Sequence, residues 1–307
     1  MMMIILIIIS TIAVVFAIVS TQTLYLHQRP DKEILTKEFS THHDFWSKKE
    51  GNKSLLIMLH GMYSHPSIFN DTAQKVLQNG WDSYAPILPN ASKSYEDLTS
   101  QQAYLWEDSL KVAFQRSLIH NQGYTKIVLA GHSQGGALAL TIAPSLSFLN
   151  GLISVATPMN LIHKKNSVIR NIGIMLSGLL VFLIPKKGLS TNNKYYKERK
   201  LVENHGSPQE FHFGLTLHSM NLGLKKTRQN LHHITIPCLL IHEKEDKTAI
   251  FEDLLYVKKR INSSSIKEVL LDTPLSIDPY SKRHKIFTYI HTKNQVAQEI
   301  VDFLKTL

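Results

Sequence analysis

The stretch Ile127-Val-Leu-Ala-Gly131-His-Ser133-Gln-Gly135-Gly136 has the pattern of a buried strand that runs through a sharp turn into a helix. The glycines two residues before and after Ser133 leave room for neighbouring backbone, as a tight and strained turn requires. The helix that follows points backbone N–H groups and the positive end of its dipole at the turn. The pattern therefore predicts an exposed serine hydroxyl at the carboxyl end of a strand, and Ser133 is the candidate nucleophile.

A serine hydroxyl needs a base, and the base needs an acid that orients it. On a strand–turn–helix elbow of this kind the chain order is serine, acid, histidine. The loop after the apolar run Cys238–Ile241 offers Glu243, Glu245 and Asp246. Asp246 is favoured, because it is set back from the strand, and the two glutamates are interpreted as solvated loop charges.

Two histidines compete for the role of base. His284 follows the predicted strand that ends at Leu271 and precedes the last predicted helix, and His291 is its nearest competitor. We favour His284. The other histidines, such as those at 42, 43, 232 and 233, are interpreted as surface or packing residues.

Backbone N–H groups are needed where negative charge develops on the substrate oxygen. The first core strand ends in Leu59-His-Gly-Met62, where Gly61 permits a turn that points the Met62 N–H at the serine. Met62 and Gln134 are therefore the predicted oxyanion-hole donors. His60 is interpreted as a structural residue that braces this loop.

Short apolar runs alternate with longer helical patterns from about residue 51, which is typical of a parallel sheet covered by helices on both faces. Strands are predicted at 55–59, 82–86, 126–130, 152–155, 238–241 and 269–271, and helices near 67–78, 105–118, 137–143, 254–261 and 296–304. Residues 51–158 and 233–307 thus form the predicted α/β core. Residues 21–50 are polar, lack periodicity and are interpreted as a stalk.

The alternation stops between residues 159 and 232, which we interpret as an inserted cap, since a structureless loop of this length is improbable. Twelve of its residues are Lys or Arg and three are Glu, so it holds nine of the chain's ten net positive charges. It also holds the apolar stretch 172–184, which is too short for a comfortable membrane span. The cap is either a lid with a solvated basic face or one that contacts an anionic membrane surface. Nucleic acid is not expected as a partner, because the apolar stretch would have no role there.

Residues 1–20 carry no charged side chain and match the length of a membrane-spanning helix. A cleaved signal peptide is the alternative, but no Lys or Arg precedes the run and residues 17–20 match a cleavage site poorly. We expect a single-pass N-terminal transmembrane anchor. The sequence does not decide on which side of the membrane the domain lies, because acids are interspersed among the flanking positive residues.

Composition sets the remaining limits. Apolar residues make up 43% of the 307 residues and charged residues 19%, which indicates a globular protein rather than a disordered one. The single cysteine, Cys238, excludes a disulfide within the chain and a cysteine-cluster metal site.

From about Ser54 to Leu307 the chain resembles the bacterial carboxylesterase and monoacylglycerol-lipase branch of the α/β-hydrolase superfamily. The resemblance lies in these stretches: Leu59-His-Gly-Met62, Tyr84-Ala-Pro-Ile87, Trp106-Glu-Asp108, Gly123-Tyr-Thr-Lys126, Gly131-His-Ser-Gln-Gly135, Ala156-Thr-Pro-Met159 and Ile241-His-Glu-Lys-Glu-Asp246. It implies an α/β-hydrolase fold and a triad of Ser133, Asp246 and His284. Arg283 departs from the pattern, because the family usually has glycine before the catalytic histidine, and the loop 272–282 is long.

The expected activity is hydrolysis of carboxylic esters, with a short or medium acyl chain or a monoacylglycerol-like substrate, through an acyl-enzyme on Ser133. No metal or organic cofactor is expected. A thioesterase or a lysophospholipase is the alternative within enzymes, since the same groups attack those acyl carbons. From another class, the chain could be a non-catalytic scaffold tethered to a membrane, because a fold alone does not fix a function.

Overall fold

A computed structural model describes residues 44–89, 91, 104–119, 123–163, 168, 171–172, 189–190, 211–212, 214–273 and 283–307. Within them the strands are β1 (Phe45–Ser47), β2 (Ser54–Leu59), β3 (Asp82–Ala85), β4 (Lys126–His132), β5 (Gly151–Val155), β6 (Leu189–Ser190), β7 (Phe211–His212), β8 (Cys238–Glu243) and β9 (Ile266–Leu271). The helices are α1 (Asn70–Gln78), α2 (Trp106–Ile119), α3 (Gln134–Ile142), α4 (Gly214–Asn230), α5 (Phe251–Lys258) and α6 (Lys293–Leu304).

Seven of the strands form one sheet in the order β1-β3-β2-β4-β5-β8-β9. Every neighbouring pair is parallel except β1 and β3, which are antiparallel. Strands β6 and β7 pair separately as a two-stranded antiparallel ribbon. The sequence prediction of a mostly parallel sheet covered by helices is confirmed.

The central strands are buried on both faces of the sheet. Along β2, Leu55, Ile57 and Leu59 belong to one core cluster, and Leu56 and Met58 belong to the other. The first cluster lies under helices α2, α3, α4 and α5, and the second lies under α1 and α6. This two-sided burial explains why the strands are continuous apolar runs rather than alternating ones.

The predicted stalk extends too far along the chain. Phe45–Ser47 form the edge strand β1, and Trp46 packs on Tyr84 of β3 with ring centroids 4.3 Å apart. Asp44 accepts hydrogen bonds from the Tyr84 hydroxyl at 2.6 Å and from the Ile87 N–H at 2.9 Å. A three-residue strand is too short to produce a detectable periodicity, so the sequence pattern missed it. Residues 1–43 lie outside the described part of the chain.

Both ends of the predicted cap, 159–232, pack into the core rather than standing apart from it. Met159 is fully buried, and Met220 and Leu224 of α4 belong to the same cluster as the strands. A Cβ on Gly223 would approach the buried Trp106 ring to 2.4 Å, so glycine lets α4 pack directly against α2. Most of the predicted apolar stretch and basic segment, residues 173–188 and 191–210, lies outside the described residues.

Among the described helices, none combines the length and the apolar character that crossing a bilayer requires. The predicted anchor, residues 1–20, belongs to the part of the chain that the structure leaves undescribed.

His60 is a fully buried structural residue at the end of β2, as predicted. The Leu88 N–H donates to its Nε2 at 3.0 Å, so its Nδ1 carries the proton and donates to the Gly61 carbonyl at 2.9 Å. Burial lowers the pKa of His60 to about 3. The neutral ring therefore fixes the turn that leads to Met62.

We predict that His60 makes folding stability fall with acidification. Because its pKa in the folded chain lies below the ordinary value of 6.5, only the unfolded chain takes up this proton as the pH drops from 6.5 towards 3. Between about pH 7.5 and about pH 5.5 the linkage costs about 1.4 kcal/mol. The unfolding free energy of His60→Gln, measured with urea, should fall by about 1.4 kcal/mol less over this interval than that of the wild type.

The exposed His233 provides the matched control. His233→Gln should keep the wild-type difference in unfolding free energy between the two pH values. Equal pH dependence in wild type and His60→Gln would show that His60 is not held neutral by burial.

Candidate active site

The residue at the predicted nucleophile position sits in a strained backbone conformation. Ser133 connects β4 to α3 with φ 55° and ψ −121°, and its N–H donates to the Val155 carbonyl at 2.9 Å. A Cβ on Gly131 would lie 2.2 Å from the Gly135 oxygen, and a Cβ on Gly135 would lie 2.0 Å from the Leu59 oxygen. Only glycine fits at both positions, so these two residues permit the turn that the sequence pattern predicted.

The structure brings together the three residues predicted as nucleophile, base and acid. Ser133 Oγ lies 2.8 Å from His284 Nε2, and His284 Nδ1 lies 2.7 Å from Asp246 Oδ2. Since a carboxylate only accepts, Nδ1 carries the proton and donates to Asp246, and Nε2 accepts from the serine hydroxyl. His284 and Asp246 are both buried. In this tautomer Nε2, the ring nitrogen that faces Ser133, is unprotonated and can accept the hydroxyl proton.

Backbone donors fix the Asp246 carboxylate. Its Oδ1 accepts the N–H groups of Thr248 at 2.7 Å and Ala249 at 3.0 Å, which leaves Oδ2 facing His284. Hydrogen bonds to the ionised form favour a carboxylate over a carboxylic acid. His242 Nε2 is 3.8 Å from Oδ2 but bonds to the Ala249 carbonyl at 2.9 Å. Burial lowers the pKa of His242, so this ring is a neutral neighbour of the acid.

The residues that competed for these roles lie elsewhere. His291 is exposed and packs against the Tyr289 ring, with centroids 5.2 Å apart. Glu245 is exposed, as predicted. The prediction for Glu243 is wrong: it is not a solvated loop charge but is fully buried, and it accepts hydrogen bonds from the N–H and the hydroxyl of Thr273. Glu243 is the last residue of β8, so its side chain is held at the carboxyl end of that strand, beside the end of β9.

The two residues predicted as oxyanion donors belong to segments that adjoin Ser133. The Gln134 N–H is the first of α3 and follows the serine directly. The Met62 loop passes against the serine, because a Cβ on Gly61 would come within 3.1 Å of Ser133 Cβ. The next residue, Tyr63, has a positive φ of 52°, so the chain turns sharply there.

Sequence reasoning missed His132, the residue before the nucleophile. Its Nε2 donates to the His284 carbonyl at 2.9 Å and so ties the histidine loop to the elbow. Burial lowers the pKa of His132 to about 3, which keeps a second positive charge away from His284. This hydrogen bond joins residues 152 positions apart in the chain, and no local pattern announces such a contact.

An aromatic pair beside the site was also missed. The Tyr104 hydroxyl donates to Gln134 Oε1 at 2.7 Å, and the Tyr104 and Tyr63 rings meet edge to face with centroids 6.1 Å apart. Both tyrosines are buried. They connect the segment before α2 to the Met62 loop and to the first residue of α3.

Solved structures with the same fold cover nearly the whole chain. A monoacylglycerol lipase from Paleococcus ferrophilus matches at a TM-score of 0.66 and 16% identity, covering 88% of this chain and 99% of its own. A soluble variant of monoglyceride lipase from Saccharomyces cerevisiae matches at 0.65 and 15%, with 86% and 91% covered. Est1E from Butyrivibrio proteoclasticus, solved with ferulic acid, matches at 0.57 and 14%, with 86% and 94% covered.

These identities are low, so the matches show a shared fold. The family itself is shown by the sequence match to the Hydrolase_4 model, described as serine aminopeptidase S33, over residues 50–269. That range includes Ser133 and Asp246, and His284 follows it. The chain therefore belongs to the Hydrolase_4 family of α/β-hydrolases.

Proposed function

We propose that this chain is a serine hydrolase that cleaves carboxylic esters through an acyl-enzyme on Ser133. The observation that carries the proposal is the continuous hydrogen-bond chain from Ser133 Oγ through His284 to Asp246, with links of 2.8 and 2.7 Å. Family membership supports it as well. A non-catalytic scaffold would have no use for a strained serine whose hydroxyl is bonded to a buried histidine.

In the first half-reaction Ser133 Oγ attacks the ester carbonyl carbon while His284 Nε2 takes the hydroxyl proton. Asp246 stabilises the resulting imidazolium. The oxyanion receives hydrogen bonds from the Met62 and Gln134 N–H groups, and loss of one such donor typically costs about 2.7–4 kcal/mol. The tetrahedral intermediate then collapses as the imidazolium of His284 protonates the departing alcohol.

In the second half-reaction water attacks the acyl carbon of the ester on Ser133, and His284 accepts a proton from that water. Collapse of the second tetrahedral intermediate releases the carboxylic acid and returns the proton from His284 to Ser133 Oγ. The overall change is one ester and one water converted to one alcohol and one acid. The nucleophile, the base, the acid and the oxyanion donors of this scheme are groups of the chain, and water is the second substrate.

We propose short- or medium-chain esters and monoacylglycerol-like esters as the substrate class. Two of the structural neighbours are a monoacylglycerol lipase and a monoglyceride lipase, and a third was solved with ferulic acid. Thioesters and lysophospholipids present the same acyl carbon to the same groups. The family's description names a serine aminopeptidase, so an amide substrate belongs in the comparison.

We predict that Ser133→Ala and His284→Ala each lower the kcat for p-nitrophenyl butyrate by at least about 10⁴-fold, because each removes a member of one catalytic unit. The double variant should be no slower than either single variant. His291→Ala is the matched control and should keep wild-type turnover. Stopped assays and circular dichroism on the wild type and the four variants provide the check. Retained activity in His284→Ala together with lost activity in His291→Ala would move the base to His291.

A fluorophosphonate probe separates enzyme from scaffold. It should label the wild type covalently at Ser133 and leave Ser133→Ala unlabelled, as peptide mass spectrometry would show. A folded wild type that neither takes up the label nor hydrolyses any ester would refute the proposed function.

A substrate panel tests the substrate class. We expect higher kcat/KM for short and medium p-nitrophenyl esters and for a monoacylglycerol than for an acyl thioester, a lysophospholipid or an amino-acid p-nitroanilide. The rate of Ser133→Ala on every substrate is subtracted as the background from contaminating hydrolases. Fastest cleavage of the p-nitroanilide would assign an aminopeptidase, and fastest cleavage of the thioester would assign a thioesterase.

The membrane anchor stays a prediction from the sequence, and fractionation tests it. We expect the full chain to sediment with membranes and to resist extraction by carbonate, because residues 1–20 are apolar and uncharged. A chain without residues 1–20 should be released. Mass spectrometry of the mature N-terminus is the second measurement, and a chain that begins near residue 20 would identify a cleaved signal peptide instead.

A further inference from the structure

Arg283, the residue directly before His284, adopts a backbone conformation that its side chain disfavours. Its φ is 54°, in the left-handed region, where a bulky residue is an outlier. Its side chain is also buried, at 2% exposure, although arginine is rarely buried without a partner. Strain of this kind persists only when the surroundings hold the residue in place. Contacts of the buried side chain must therefore hold Arg283 in this strained conformation.

Those contacts are with Glu243 and Thr273. Arg283 Nη1 donates to the Thr273 carbonyl and lies 3.9 Å from Glu243 Oε1. Glu243 in turn accepts the Thr273 N–H at 3.1 Å and the Thr273 hydroxyl at 2.9 Å. The side chains of Glu243 and Arg283 are each 1% exposed. We call Glu243, Thr273 and Arg283 the buried clamp.

The buried clamp joins the two loops that carry the acid and the base. Glu243 ends β8, and its carbonyl accepts the Asp246 N–H at 3.1 Å. Thr273 lies just beyond the end of β9, and Arg283 is covalently bonded to His284. Residues 273 and 283 are the two ends of the connection between β9 and the histidine loop. Their contact closes that connection at its base.

We propose that the buried clamp positions His284 against Ser133 and Asp246, so that Arg283 and Glu243 are positioning residues for the reaction; this rests on the proposed function. Glu243 does not act as a second acid, because its oxygens face Thr273 and Arg283. The effect is on geometry: a displacement of about 1 Å at a reacting group can cost about 100-fold in rate. A charged pair suits this role, since a buried charge that loses its partner is strongly unfavourable, which resists alternative positions of the loop.

The test uses substitutions that separate backbone strain from side-chain pairing in the full-length chain. Arg283→Gly relieves the positive φ but removes the cation. Arg283→Lys keeps the charge, and Glu243→Gln keeps the shape of the carboxylate while removing its charge. Asp82→Asn is the matched control, because Asp82 is also buried and accepts hydrogen bonds from Asn52 and Tyr124. It is the first residue of β3, so it lies at the amino end of the parallel strands, away from the carboxyl ends where the site residues are.

The kcat and KM for p-nitrophenyl butyrate are measured per active site, with sites counted by fluorophosphonate titration, beside thermal unfolding. Arg283→Gly should lower kcat about 10–100-fold with KM changed by less than about 3-fold. Arg283→Lys should recover part of the loss. Glu243→Gln should lower kcat in the same direction, and the double variant Arg283→Gly with Glu243→Gln should be no slower than Arg283→Gly alone. Asp82→Asn should lose thermal stability and keep its kcat per site.

Wild-type kcat per site in Arg283→Gly, at any melting temperature, would reduce the buried clamp to a structural brace and overturn the proposal. If Arg283→Gly does not fold, Glu243→Gln decides by the same criterion. An inactive and unlabelled wild type would instead refute the proposed function, so the two failures are distinct.

Discussion

Ser133 has φ 55°, and the chain can hold it there only because residues 131 and 135 lack a Cβ. Such a residue is strained by about 1–3 kcal/mol, and it persists where its surroundings determine it. Here β4 lies between β2 and β5, the Ser133 N–H is bonded to Val155, and α3 starts at the next residue. The central strands of the sheet therefore hold Ser133 in its strained conformation. The position of every other group in the site is defined relative to this one turn.

Charge is distributed sparingly around that turn. His60 and His132 are buried and neutral, each with a pKa lowered to about 3 by burial, and each acts through a hydrogen bond to a backbone carbonyl. Asp246, by contrast, has two backbone donors on one oxygen and His284 on the other. In the proposed reaction the imidazolium of His284 forms beside this carboxylate while the nearby rings stay neutral. The positive charge that proton transfer creates on His284 is therefore stabilised by the Asp246 carboxylate, and the rings of His60 and His132 add no repelling cation.

The sequence predicted the local features and the three residues that the structure brings together, but it did not predict the long-range contacts around them. The elbow around Ser133 is readable because glycine spacing and strand–helix periodicity lie within ten residues. Asp246 and His284 were predicted from chain order, and the structure places His284 against Ser133 and Asp246 against His284. The burial of Glu243 was not predicted, because it depends on Thr273, thirty residues away. The contact of His132 with His284 and that of Tyr104 with Gln134 were missed for the same reason. The edge strand β1 was too short for any period to register.

Two acids three residues apart at the end of β8 have separate partners, and the separation has a physical basis. Glu243 is still part of the strand, paired in register with Leu271, so its side chain stays beside the end of β9 and meets Thr273 and Arg283. Asp246 lies beyond the turn, where its carboxylate reaches His284. The consecutive residues 283 and 284 thus each face one of the two acids. An arginine paired with Asp246 would compete with the imidazolium for the same oxygen. Because the Arg283 guanidinium pairs with Glu243, the Asp246 oxygen that faces His284 orients the histidine.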